Sequence, residues 1–81
     1  MISLHDKVEV IGKIVKGHSR RARGWNLSQT KHLGQTGKVI GIREVRGKPD
    51  QFDVTFQDGH VLAYEELHLK KIEVISGELS L

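Results

Sequence analysis

Apolar residues along this chain come in short, mostly β-branched bursts set off by glycine, and most bursts alternate with polar positions. Lys7-Val8-Glu9-Val10-Ile11 puts Val8 and Val10 on one face and Lys7 and Glu9 on the other, the period of a half-buried strand. Ile14 and Val15 offer a continuation of it. Thr36 to Val45 reads as a second strand whose alternation slips: Val39 and Ile42 lie three apart, and a bulge or bend at Gly41 would turn both inward. Phe52, Val54 and Phe56 alternate with Asp53 and Thr55 as the cleanest strand in the chain. Gln57-Asp58-Gly59-His60 predicts a tight hairpin, because Asp-Gly between alternating runs favours turns with positive φ. Val61 to Tyr64 returns as a fourth strand, Glu65-Glu66-Leu67 reads as one 3-10 turn, and His68 to Val74 as a fifth strand.

Residues 16–35 keep neither the helical nor the strand period. They predict one long excursion pinned by Trp25 and Leu27, with an extended hairpin or a short helix over Leu27 to His32 as alternatives. Arg46-Gly47-Lys48-Pro49-Asp50 is a turn cluster. Five short strands, a long first loop and a short 3-10 turn before the last strand predict an all-β fold, a five-stranded SH3-like barrel over residues 1–75 with a flexible tail at 76–81. An OB-fold is the alternative, but it calls for a helix between the third and fourth strands, and Phe56 to Val61 leaves no room for one. The expected core is Val8, Val10, Val39, Ile42, Phe52, Val54, Phe56, Leu67 and Ile72.

With 81 residues and 37% hydrophobic positions the chain supports one modest core. The absence of cysteine removes disulfides and thiolate metal sites. No segment approaches the roughly 18 apolar residues of a membrane span, and the opening MISLHDKVEV is not a signal peptide, so a cytoplasmic protein with no membrane partner is expected.

Charge is segregated. Between residues 12 and 48 ten basic side chains face Glu44 alone, whereas residues 49–81 carry seven acids against Lys70 and Lys71. Such an arrangement suits an anionic partner, or one half of the chain complementing the other.

Catalytic constellations are not legible. The serines lack a glycine-framed elbow, and Gly34-Gln35-Thr36-Gly37 lacks the Lys-Ser/Thr of a phosphate loop. His5, His18, His32, His60 and His68 share no short ligand spacing and read as surface residues, so no metal and no cofactor is expected. The expectation is a non-enzymatic module.

Leu33 to Ile42, LGQTGKVIGI, resembles the glycine-x-x-glycine-x-valine core of KOW-type barrels. Together with FDVTFQDGHVLAYEEL (Phe52 to Leu67) it is similar to a wider group of small SH3-like barrels. That group includes electron-transport accessory barrels and small uncharacterised prophage barrel proteins. The resemblance spans Asp6 to Val74 and implies a barrel, and with it a phage or mobile-element origin as one implication; its members share a fold and not a job. KOW domains place the glycine motif close behind strand one, whereas twenty residues intervene here.

The most informative stretch is His18 to Asn26, where Arg20, Arg21 and Arg23 precede Trp25. Guanidinium groups beside an indole suit phosphate contact with base stacking, and equally a protein interface. In SH3-like barrels the first loop and the second hairpin flank one open end. The resemblance therefore implies that Arg20, Arg21, Arg23 and Trp25 join Lys38, Arg43, Arg46 and Lys48 in one basic surface. The partner expected there is a protein, with nucleic acid as the alternative; Trp25 capping the barrel, with the arginines merely solvated, is the competing interpretation.

Overall fold

The computed structural model describes residues 1–73, so the tail expected at 76–81 and the end of the fifth strand at Val74 lie outside the described residues. The elements run β1 (Lys7–Val10), β2 (Lys13–Val15), β3 (His18–Arg20), α1 (Leu27–Lys31), β4 (Thr36–Arg43), β5 (Gln51–Thr55), β6 (Val61–Glu65), a 3-10 turn (Glu66–His68) and β7 (Leu69–Lys71). β6-β5-β4-β1-β7 form one sheet in that order, and β2 and β3 form a separate two-stranded ribbon. Among the described residues every ladder is antiparallel, and an isolated parallel bridge joins Gly12 to Arg20. The protein is thus a small, mostly-β domain. Among the described residues no ladder joins β6 to β7, so strand pairing does not close the sheet on itself.

The alternating runs set the core. Val8, Val10, Val39 and Val54 have no exposed surface, and Phe52 and Phe56 are nearly as buried. The register pairs Val39 with Val54 and then slips at Ile40, so that Gly41 faces Asp53 and Ile42 faces Phe52. This is the bulge anticipated beside Gly41, and the extra residue re-aims the strand. It does not bury Ile42, which sits near the end of β4 and stays 39% exposed. Two other expected core residues also fall outside. Leu67 projects from the 3-10 turn at 64% exposure, and Ile72 follows β7 half-buried. Tyr64, Leu69 and Ile2 occupy the core instead.

The excursion is structured. Ile11 and Gly12 break the first strand, so Ile14 and Val15 belong to the ribbon rather than to β1. Lys16 and Gly17 both have positive φ, 51° and 80°, the geometry of a two-residue type I′ hairpin. Asn26 caps α1: its side chain accepts from the Gln29 backbone N–H at 2.8 Å, and Gln29 Oε1 accepts from the Asn26 N–H at 2.9 Å. Trp25 packs half-buried against the core as expected, but Leu27 is 79% exposed and pins nothing. The helix is tied down by hydrogen bonds instead. Tyr64 donates its hydroxyl to the Gln29 carbonyl at 3.0 Å, and Gln29 Nε2 donates to the Ala63 carbonyl at 2.7 Å. The β5–β6 turn follows the Asp-Gly expectation: Gly59 has φ 88°, and Phe56 N–H bonds the His60 carbonyl at 2.9 Å.

Beneath α1 a file of rings crosses the molecule. His68, Trp25, Tyr64, Phe56, His32 and His60 lie with successive centroids 5.4, 5.2, 6.3, 4.4 and 5.1 Å apart. Two of its members correct the expectation of surface histidines, since His32 and His68 are 4% and 9% exposed.

Candidate binding surface

The ribbon and the segment leaving it carry three of the seven predicted basic residues, Arg20, Arg21 and Arg23. No acidic residue occurs from Val10 to Arg43. Lys13, Lys16, Arg20, Arg21 and Arg23 are all exposed, as is every residue of β2 and β3. The register sets Lys13 directly opposite Arg20, Ile14 opposite Ser19 and Val15 opposite His18. Like charges facing each other across a ladder destabilise it, and an anion lying across Lys13 and Arg20 removes that cost. Ile14 and Val15 keep 54% and 39% of their surface in solvent, so the ribbon presents apolar patches between its cations.

The foot of the ribbon rests on Trp25. Gly12 has φ 61°, and a Cβ there would lie 2.1 Å from the Arg20 carbonyl oxygen and 3.1 Å from the indole. Only glycine permits this approach. The carbonyl of His68 accepts from both Ile11 and Gly12 N–H, at 2.9 and 3.1 Å, which joins the same point to the 3-10 turn.

Between Trp25, the start of β5 and the end of β6 lies a small polar notch of 150 Å³. Arg23, Trp25, Gln29, Gln51, Glu65 and His68 line it. His68 Nδ1 is buried and has no hydrogen-bond partner. Buried polar atoms are rarely left unmatched, because the lost hydration costs about 1–3 kcal/mol.

The predicted residues do not all gather at this notch. Arg23 and Trp25 line it, and Arg20 and Arg21 lead into it from the ribbon. Arg43 faces Gln51 across the β4–β5 ladder, and its guanidinium donates to Asp53 Oδ1 at 2.8 Å. Arg46 and Lys48 are exposed on the turn that follows β4. Lys38 lies toward the other end of β4, beside Lys7 in a wider cleft of 630 Å³ with Gln35, Thr55 and Gln57. At about 3.3 Å per strand residue, Lys38 and Arg43 are on the order of 15 Å apart. Trp25 is edge-on to Tyr64 and His68, so much of its ring is already committed to packing.

Sequence reasoning did not single out His68, Gln29 or Gln51. His68, the last residue of the 3-10 turn, carries no sequence signal of its own. Gln29 does carry one, as the third helical residue of an Asn-x-x-Gln capping box. Among the described residues no helix is long and apolar enough to cross a membrane. Compared with known proteins, the chain matches no family model, no curated protein and no solved structure.

Proposed function

We propose that this protein is a non-enzymatic binding module, an SH3-like barrel that docks an acidic segment of a partner protein through its basic ribbon and the notch at the ribbon's foot. The strand order supports the barrel reading: the last strand lies beside the first, the middle strands follow in succession, and a 3-10 turn precedes the last. The observation that carries the binding reading is the exposed basic ribbon, continuing through Arg20 and Arg21 to a notch lined by Arg23. A carboxylate entering there would meet a guanidinium able to bind it bidentately. The exposed Lys and Arg of the ribbon would steer the approach. Ile14 and Val15 add the apolar contact that a protein interface uses and a phosphate backbone does not.

A second reading, nucleic acid on the same ribbon, is favoured by the acid-free run from Val10 to Arg43. Titrations separate the two. Glutamate-rich peptides and oligonucleotides, single-stranded and duplex, are added at two salt concentrations while Trp25 emission is followed. Peptide binding that shifts the emission, and weakens at least tenfold when Arg20, Arg21 and Arg23 are replaced together by alanine, supports the protein partner. The triple variant should fold as the parent does, because exposed charges contribute little to stability. Oligonucleotide binding with a steep salt slope, and none to peptides, transfers the ribbon to the second reading. No binding to either at low salt refutes both.

A further inference from the structure

At the far end of the ring file, distant from the notch, the C-cap of α1 meets the β5–β6 turn. There His32, Asp58 and His60 bring one nitrogen or oxygen each to within 4.8 Å of one another. Their positions follow from local structure. His32 ends the helix, and its backbone N–H bonds the Ser28 and Thr30 carbonyls. Asp58 and His60 flank Gly59 in the tight turn, where Asp58 Oδ1 accepts the His60 backbone N–H at 3.0 Å.

His32 supplies the decisive chemistry. Its ring is buried, with its centroid 4.4 Å from that of Phe56 at an interplanar angle of 42°. Its Nδ1 lies 2.7 Å from the Ser28 carbonyl oxygen, which only accepts, so Nδ1 carries a hydrogen. Nε2, the other ring nitrogen, lies 2.7 Å from Asp58 Oδ2. A metal ion can take the place of the hydrogen between this nitrogen and the carboxylate, since metal binding displaces ligand protons. Asp58 supplies the carboxylate, with Oδ2 turned to His32 and Oδ1 to His60. His60 Nδ1 stands 3.2 Å from Asp58 Oδ1 on an exposed ring with freedom to turn.

We infer that His32, Asp58 and His60 form a binding site for a borderline divalent transition-metal ion, Zn²⁺ above all, with solvent completing the coordination. Two imidazole nitrogens and one carboxylate suit Zn²⁺ and disfavour Ca²⁺ and Mg²⁺, which take oxygen donors. Metal–ligand bonds of about 2.0–2.2 Å put tetrahedral ligands about 3.3 Å apart. The present contacts of 2.7 and 3.2 Å therefore need only a small opening of the His32–Asp58 pair and a rotation of His60. The bond from Nδ1–H of His32 to Ser28 is the outer contact that fixes the tautomer of a metal-bound imidazole. A bound ion would clamp α1 to the hairpin tip. Sequence spacing conceals the site, since His32 comes from 26 residues before Asp58.

The test uses the full chain, stripped with chelator and dialysed. Zn²⁺ is titrated by calorimetry, with Ca²⁺ as the comparison ion, and thermal unfolding is followed with and without Zn²⁺. Expected are one equivalent of Zn²⁺, no Ca²⁺ binding, and a rise in melting temperature. His60→Ala and Asp58→Asn, which keep an exposed site and a turn-compatible residue respectively, each weaken Zn²⁺ at least tenfold. His18→Ala, on the ribbon, changes nothing. With Zn²⁺ bound, nitrogen NMR of the His32 ring should show a single ring proton, on Nδ1, and a shifted Nε2. The inference is overturned if Zn²⁺ binding is absent or survives in both site variants. It is also overturned if His32 keeps both ring protons at saturating Zn²⁺, because the cation facing Asp58 is then only a proton.

Discussion

Truncating Phe56 tests how the core is built. The residue is 5% exposed, and its ring contacts His32 at 4.4 Å and Tyr64 at 6.3 Å between centroids. Phe56→Ala deletes six ring carbons and both aromatic contacts, a loss of about 3–5 kcal/mol for a buried site. A domain of this length holds about 4–12 kcal/mol in total, so the variant stands near the edge of unfolding and Phe56→Leu provides a measurable companion at about 1–2 kcal/mol. Leu67→Ala is the control: the sequence pattern placed Leu67 in the core, yet at 64% exposure its truncation should cost no more than about 0.5 kcal/mol. Urea unfolding followed by Trp25 emission reads all three, since the indole touches Tyr64 and His68 and changes surroundings when the core opens. With a slope of about 1–2 kcal/mol per molar urea, Phe56→Leu moves the midpoint by about 1 M. A loss below 1 kcal/mol for Phe56→Ala, or a larger loss for Leu67→Ala than for Phe56→Leu, would refute this account of the core.

Gly12→Ala should cost about 2–4 kcal/mol and alter Trp25 emission, because the added Cβ meets the Arg20 carbonyl at 2.1 Å in a left-handed conformation; chemical denaturation checks it, and a neutral outcome would mean the ribbon does not rest on the indole. Burial pushes the Tyr64 hydroxyl up to about 12, above its ordinary value near 10. Stability should therefore be complete below pH 10 and decline as pH rises toward 12, by on the order of 2 kcal/mol, and Tyr64→Phe should abolish that alkaline loss. Amide exchange should be faster in β2 and β3, exposed throughout, than in β5, and equal protection of the two would contradict the ribbon's marginal packing.

Legibility of the fold followed the strength of local signals. Val8, Val10, Phe52, Val54 and Phe56 were readable because a sheet with one face covered enforces strict alternation. The Asp58-Gly59 turn was readable because a positive φ selects its residues. Ile42 has the right parity but lies near a strand end, and distance from the core centre leaves no trace in a periodic pattern. The ribbon was hidden by its turn, since Lys16 adopts φ 51° without the usual Asn or Asp to announce it. α1 did announce itself through Asn26 and Gln29, but a five-residue helix with no buried residue has no apolar stripe. At the candidate surface the arginines stood out by clustering alone. His68, by contrast, became informative only through burial, and His32 only through its meeting with Asp58 across 26 residues of chain.

The pairing of β1 with β7 has a kinetic consequence. β1 lies between β4 and β7, and the Ile72 N–H closes onto the Lys7 carbonyl at 2.8 Å, while the Ile2 N–H reaches Glu66 Oε2 across 64 residues. Of the described strands, the earliest in the chain therefore waits, half-paired, for the latest. The local hairpin β5–β6 can form within microseconds, but closing so long a loop pays its entropy before any contact repays it, which places completion of the sheet in the millisecond-to-second range. During synthesis β1 keeps one edge open until residue 72 has left the ribosome, and Lys7 and Glu9, charged along that edge, are what discourage it from pairing with another chain in the interval.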